Sequence, residues 1–165
     1  MSVRLKAPVL DAPPSEEHGM STRILFAYDR RDESRMGLLR VIMDEGRWDV
    51  TACHVDDAET AFSGQDILIV DRATLIPDLL REGERVYKSD ALVSRIKGEG
   101  RNPDVAVMVV SNVDDPGVVE GDSDLTGQDR FYRESVMDKV DDYFKYPFDT
   151  ELFLIRLRRL DVNLE

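Results

Sequence analysis

Short runs of uncharged apolar residues that break off at a polar or acidic side chain constrain this chain more than any other feature. Ile24-Leu25-Phe26-Ala27-Tyr28 ends at Asp29, Ile67-Leu68-Ile69-Val70 at Asp71, and Val105-Ala106-Val107-Met108-Val109-Val110 at Ser111. A strand with one wet face alternates apolar and polar residues. Continuous runs of this kind belong to strands covered on both faces, as in a parallel sheet held between helices.

The segments between these runs read as the covering helices. After the charged stretch Asp29 to Glu33, Met36, Leu39 and Met43 recur at i, i+3 and i+7 beside Leu38 and Ile42, and Gly46 suits the position just past a helix end. Trp48 to Val55 reads as a further strand and Asp56 to Phe62 as a short helix closed by Gly64. Pro77-Asp78-Leu79-Leu80 reads as a single helical turn, and Ser89 to Lys97 as a helix with Leu92 and Ile96 at i, i+4. Residues 112 to 127 are acidic and glycine-containing, which predicts a loop. A helix from about Asp129 places Tyr132, Val136 and Val140 on one side, and Tyr143-Phe144-Lys145-Tyr146 is the last strand. Asp149 then caps a closing helix through Leu160, with Phe153, Leu157 and Leu160 on its inner face. Alternating strands and helices predict an α/β fold with a doubly wound five-stranded parallel sheet, order 2-1-3-4-5, whose strand C-termini gather around one crevice.

The 165 residues suit one domain. Residues 1–21, with Pro8, Pro13 and Pro14 and no sustained hydrophobic period, read as a mobile N-terminal tail, with Met20 as an alternative start, and 22–165 as the folded domain. With 22 Lys+Arg against 34 Asp+Glu, the net charge of −12 disfavours binding to nucleic acid or to anionic membranes. No apolar run is long enough for a signal peptide or a span, and the single cysteine, Cys53, suits a reducing, cytoplasmic setting and a small buried hydrophobe. Asp122-Ser123-Asp124-Leu125-Thr126-Gly127 begins like a calcium loop, but Arg133 stands at the twelfth position, where a bidentate acid is required. His18 and His54 have no partner in the sequence that points to catalysis.

The strand-end residues Asp29, Asp71 and Ser111 are predicted to converge. Two carboxylates held close repel each other, and the usual remedies are a bound divalent cation, with Mg²⁺ the natural candidate, or a raised pKa on one of them. On these residues the chain resembles the receiver domains of two-component response regulators, which are flavodoxin-like, over roughly Arg23 to Leu160. Asp66 to Asp71 resembles the family's phosphoacceptor strand, Val107 to Ser111 its switch-hydroxyl strand, and Asp141 to Asp149 its last strand and turn. The resemblance implies that Asp71 accepts phosphate, that Asp29 and Asp71 hold Mg²⁺, that Ser111 bonds the phosphoryl oxygen and that Tyr143 is the aromatic switch. It also implies a cis bond between Tyr146 and Pro147.

The departures bear on function. Tyr28 stands where the family has a second acid, and Tyr146 where it has the lysine before the proline, with Lys145 one place earlier. Successive strand residues point to opposite faces, so Lys145 does not replace that ammonium without a local shift. Segments 76–88 and 113–125 look like insertions. The pattern resembles that of atypical, pseudo-receiver domains with weakened or absent phosphorylation. The expected function is therefore a stand-alone signalling switch or adaptor that acts through protein contacts, without enzyme activity and without an attached output domain. Its partners are expected to be a sensor kinase, a downstream signalling protein or a second copy in a homodimer. By the same resemblance Asp142, Arg156 and Arg159 are the contact candidates. The alternatives are a working Mg²⁺-dependent phospho-accepting regulator and, in another class, a small α/β phosphohydrolase. No glycine-rich phosphate loop follows the first strand to support the latter.

Overall fold

The structure is a computed structural model that describes residues 2–5, 21–78, 83–98, 104–118 and 126–164. Its elements in chain order are β1 (Ser2–Leu5), β2 (Arg23–Tyr28), α1 (Glu33–Asp44), β3 (Asp49–His54), α2 (Ala58–Ala61), β4 (Ile67–Arg72), β5 (Leu75–Pro77), β6 (Arg85–Tyr87), α3 (Lys88–Gly98), β7 (Ala106–Ser111), α4 (Gly127–Ser135), β8 (Asp142–Lys145) and α5 (Thr150–Asn163). The main sheet runs β1-β3-β2-β4-β7-β8. Its neighbours from β3 to β8 are all parallel, which is the predicted order 2-1-3-4-5 once the five parallel strands are counted alone.

Helices cover both faces because β2, β4 and β7 are apolar on both sides. Ile24, Phe26, Ile67, Ile69, Met108 and Val110 pack against Leu38, Leu39 and Ile42 of α1 and Phe153, Leu154 and Leu157 of α5. The alternate residues Leu25, Ala27, Leu68, Val70, Val107 and Val109 pack against Leu92, Val93 and Ile96 of α3, with Tyr132 of α4 and Val136 just beyond it. The period-two alternation of a strand thus sorts one sequence run into two cores. Helix starts follow capping chemistry: Asp32 accepts from the Arg35 N–H, and Asp149 from the Glu151 N–H. Gly46, at φ 69°, takes the left-handed conformation just past α1 that a side chain disfavours.

Two expectations are corrected. Pro77-Asp78 does not open a helical turn: Leu75–Pro77 is a strand, paired antiparallel with Arg85–Tyr87 in a separate two-stranded sheet. Burial of Val86 and Tyr87 rewards that pairing, and no local signal reveals it. Leu79 and Leu80 lie outside the described residues. Ser2–Leu5, read as part of a mobile tail, instead forms β1 and pairs antiparallel with β3, from Ser2 opposite Cys53 to Leu5 opposite Val50. Residues 6–20 lie outside the described residues, as do Asp122 to Leu125 of the calcium-like stretch, whereas Thr126 caps α4.

Candidate functional site

Asp71 is the next-to-last residue of β4 and is fully buried. Its carboxylate accepts four hydrogen bonds. Oδ2 accepts from the Asp29 N–H at 2.9 Å, the Arg30 N–H at 3.1 Å and Arg35 Nε at 3.1 Å, while Oδ1 accepts from Arg35 Nη2 at 2.9 Å. Arg35 therefore grips both oxygens in a fork, the strong geometry for a guanidinium and a carboxylate. Its side chain is 1% exposed. Arg35 Nη1 reaches Asp32 at 3.0 Å, and the guanidinium lies 4.5 Å from the centre of the Tyr146 ring. Burial works against the Arg35 charge, but the hydrogen bond and charge of Asp71 outweigh it and hold the guanidinium above its ordinary pKa.

The sequence-predicted residues fall around this pair. Asp29 contributes its backbone N–H to Asp71, whereas its carboxylate accepts from the Thr74 N–H at 2.7 Å and faces His54 Nε2 at 3.8 Å. Tyr28 is buried, edge-on to His54, with Arg31 over its ring. Tyr146 occupies the Asp71 side, in the place the family gives to lysine. Burial raises the pKa of its hydroxyl, which has no hydrogen-bond partner among the described residues. Lys145 points elsewhere, as strand alternation requires, and its Nζ pairs with Asp114 at 2.7 Å. The Tyr146-Pro147 bond is cis, as expected.

Ser111 does not share the Asp71 side. In the β4/β7 register it stands beside Arg72, one residue out of step with Asp71, and its hydroxyl donates to the Arg72 carbonyl at 2.6 Å and accepts from the Val113 N–H at 3.1 Å. Tyr143 lies on that side too. Its hydroxyl donates to the Val113 carbonyl at 2.8 Å and accepts from Arg72 Nη1 at 3.4 Å. Arg72 is itself fully buried, with Nε shared between the two oxygens of Asp90 at 3.1 Å and its guanidinium against the rings of Tyr87 (4.1 Å) and Tyr132 (4.9 Å). Burial pushes the Asp90 carboxyl up to about 6 despite Arg72. The end of β4 thus carries two buried arginine–carboxylate pairs, one on each side of the sheet. The sequence reading found Asp71 and missed both arginines.

The receiver resemblance implies Mg²⁺, and the residues present do not fit it. Both Asp71 oxygens are taken by Arg35, the Asp29 carboxylate is bonded to Thr74, and the described residues contain no group of three or more His, Cys, Asp or Glu side chains able to hold a metal ion. A guanidinium stands where cationic compensation of Asp71 is needed.

Comparison with solved structures places the fold. The BeF3-activated receiver domain of DrrB matches over 86% of this chain and 97% of its own, with TM-score 0.55 and 17% identity. A response regulator from Thermotoga maritima matches over 87% and 99% (TM-score 0.56, 20% identity), and the receiver domain of NtrX from Brucella abortus over 83% and 96% (0.56, 18%). No protein-family model and no curated protein matches the chain. The chain has the flavodoxin-like fold of response-regulator receiver domains. No helix among the described residues is long and apolar enough to cross a membrane.

Proposed function

We propose that this chain is an atypical receiver module that signals through protein contacts, and that Asp71 is not a phosphoacceptor in it. The Arg35–Asp71 pair carries this reading. A carboxylate that attacks phosphorus must offer an accessible oxygen, with a cation nearby to neutralise the phosphoryl oxygens. Here every Asp71 oxygen is hydrogen-bonded, the side chain is sealed from solvent, and the neutralising charge comes from the chain's own α1. Arg35 compensates the buried Asp71 carboxylate, and so holds the strand end in one state.

A module fixed in this way acts by what its surface binds. The partner we favour is a protein of a signalling pathway, either a kinase or a downstream component. Of the contact candidates, Asp142 and Arg156 pair with each other at 3.2 Å between β8 and α5, and Arg159 stands exposed on α5.

The test is incubation of the full chain with Mg²⁺ and a small-molecule phosphodonor, read by intact mass. The expected result is no stable acyl phosphate. Stoichiometric addition of one phosphoryl group that disappears in Asp71→Asn would overturn the reading in favour of a working phospho-accepting regulator.

A further inference from the structure

On the α3 side of β4 three charged side chains meet, and their charges do not balance. Arg72 at the end of β4 supplies one positive charge, while Asp90 in the first turn of α3 and Asp129 in the first turn of α4 supply two negative ones. The two carboxylates are unlike. Asp90 is 1% exposed and takes Arg72 Nε on both oxygens at 3.1 Å, with the Ser89 hydroxyl at 3.4 Å beside it. Asp129 keeps 31% of its side chain in solvent, and Arg72 Nη2 stops 3.5 Å short of it. That Nη2 is buried and makes no hydrogen bond among the described residues. A buried donor without an acceptor is costly, and a shift of roughly half an ångström would bring it to ordinary bonding length from Asp129.

We propose that Arg72 is a proton-controlled latch between α3 and α4. With Asp90 ionised the guanidinium is held to α3; with Asp90 protonated it closes onto Asp129 and draws the first turn of α4 against the sheet. Two anions around one cation make one of them the site of protonation, and desolvation selects the deeper. Burial is the largest influence on the Asp90 carboxyl and raises it to about 6, with Arg72 opposing and Asp129 adding to the rise.

The other titratable groups around this cluster do not compete for that proton. Tyr87 of β6, Tyr132 of α4 and Tyr143 of β8 are phenols whose pKa burial raises, and Asp115, after β7, acts on Tyr132. The rings also confine the movement. The guanidinium lies 4.1 Å from the centre of Tyr87 and 4.9 Å from that of Tyr132, so it pivots within an aromatic slot instead of leaving it. The latch stands on the face of the sheet opposite Asp71 and does not depend on whether Asp71 accepts phosphate.

The test follows the full chain from about pH 7.5 to about pH 5, on either side of the Asp90 titration. Amide-exchange protection in α4, corrected for the intrinsic rate, is read beside an NMR titration of the Asp90 carboxyl. Protection in α4 should rise about tenfold as pH falls, as one charge-assisted hydrogen bond is gained. The rise should share the Asp90 midpoint and exceed any change in α1. Asp90→Asn should hold α4 in the protected state at every pH. In Asp129→Asn, at a half-exposed position, the α4 step should vanish and the Asp90 midpoint should fall, because a neighbouring negative charge is gone. Flat α4 protection in the wild type overturns the proposal. So does a step that survives either substitution, or an Asp90 midpoint that Asp129→Asn leaves unmoved.

Discussion

Replacing Arg35 by Met keeps the length of the side chain and its apolar stem but leaves the Asp71 carboxylate buried with two backbone N–H donors in place of four bonds. Breaking a buried pair from one side costs about 3–5 kcal/mol, most of it the penalty of the stranded charge. At about 2–4 °C per kcal/mol for a chain of this size, the melting temperature should fall by roughly 10 °C. Asp71→Asn strands the guanidinium less severely, because Asp32 still accepts from Nη1 at 3.0 Å; a loss of about 1.5–3 kcal/mol is expected. The double variant should lose less than the sum of the two by about 2 kcal/mol, the coupling of residues in direct contact. Urea unfolding reports this through Trp48, the single tryptophan, which is buried and donates to Asp161 at 2.9 Å. An uncommitted pocket carboxylate loses little on neutralisation. Single losses below about 1 kcal/mol, or additivity within about 0.5 kcal/mol, would therefore refute the claim that Arg35 compensates Asp71.

Two further outcomes follow from the other side of β4. The folded pKa of Asp90 is raised to about 6, above the ordinary unfolded value near 3.9, so its contribution to stability is complete below about pH 4 and is lost as pH rises through 6. The chain should melt at a higher temperature at pH 5 than at pH 7, and Asp90→Asn should flatten that slope; an unchanged slope in the variant rejects the assignment. Tyr143→Phe removes the bonds to the Val113 carbonyl and to Arg72. It should cost about 1–2 kcal/mol and speed amide exchange over residues 112–118 but not in α1, a pattern that hydrogen-exchange mass spectrometry resolves.

The parallel strands and their order were legible because burial on both faces writes itself into a strand as an unbroken apolar run, and because a cap such as Asp149 acts within one turn. Arg35 left a trace that went unread. It precedes Leu38, Leu39 and Ile42 by three, four and seven residues, and so lies on the buried stripe of α1, whereas the stripe read from Met36, Leu39 and Met43 is rotated from it. An arginine on an inward stripe demands a buried carboxylate, and Asp71 was already in view. Arg72 follows the same logic, since a strand covered on both faces buries its last residue whichever way it points. The β5–β6 hairpin and β1 were not legible, because each depends on a partner distant in sequence and neither carries a periodic pattern long enough to read. Ser111 lies at the predicted strand end, and its place beside Arg72 is a one-residue matter of register that apolar runs of uniform composition cannot fix.

The counter-charge to Asp71 is supplied by the same polypeptide, from a helix separated from the end of β2 by four residues. A tethered ion is neither diluted nor hydrolysed, and no donor pool regulates its supply. On the proposed reading, Asp71 then carries no phosphoryl mark to gain or lose. Output would instead follow how much of the chain is made, how quickly it is degraded, and which competitors occupy its surface.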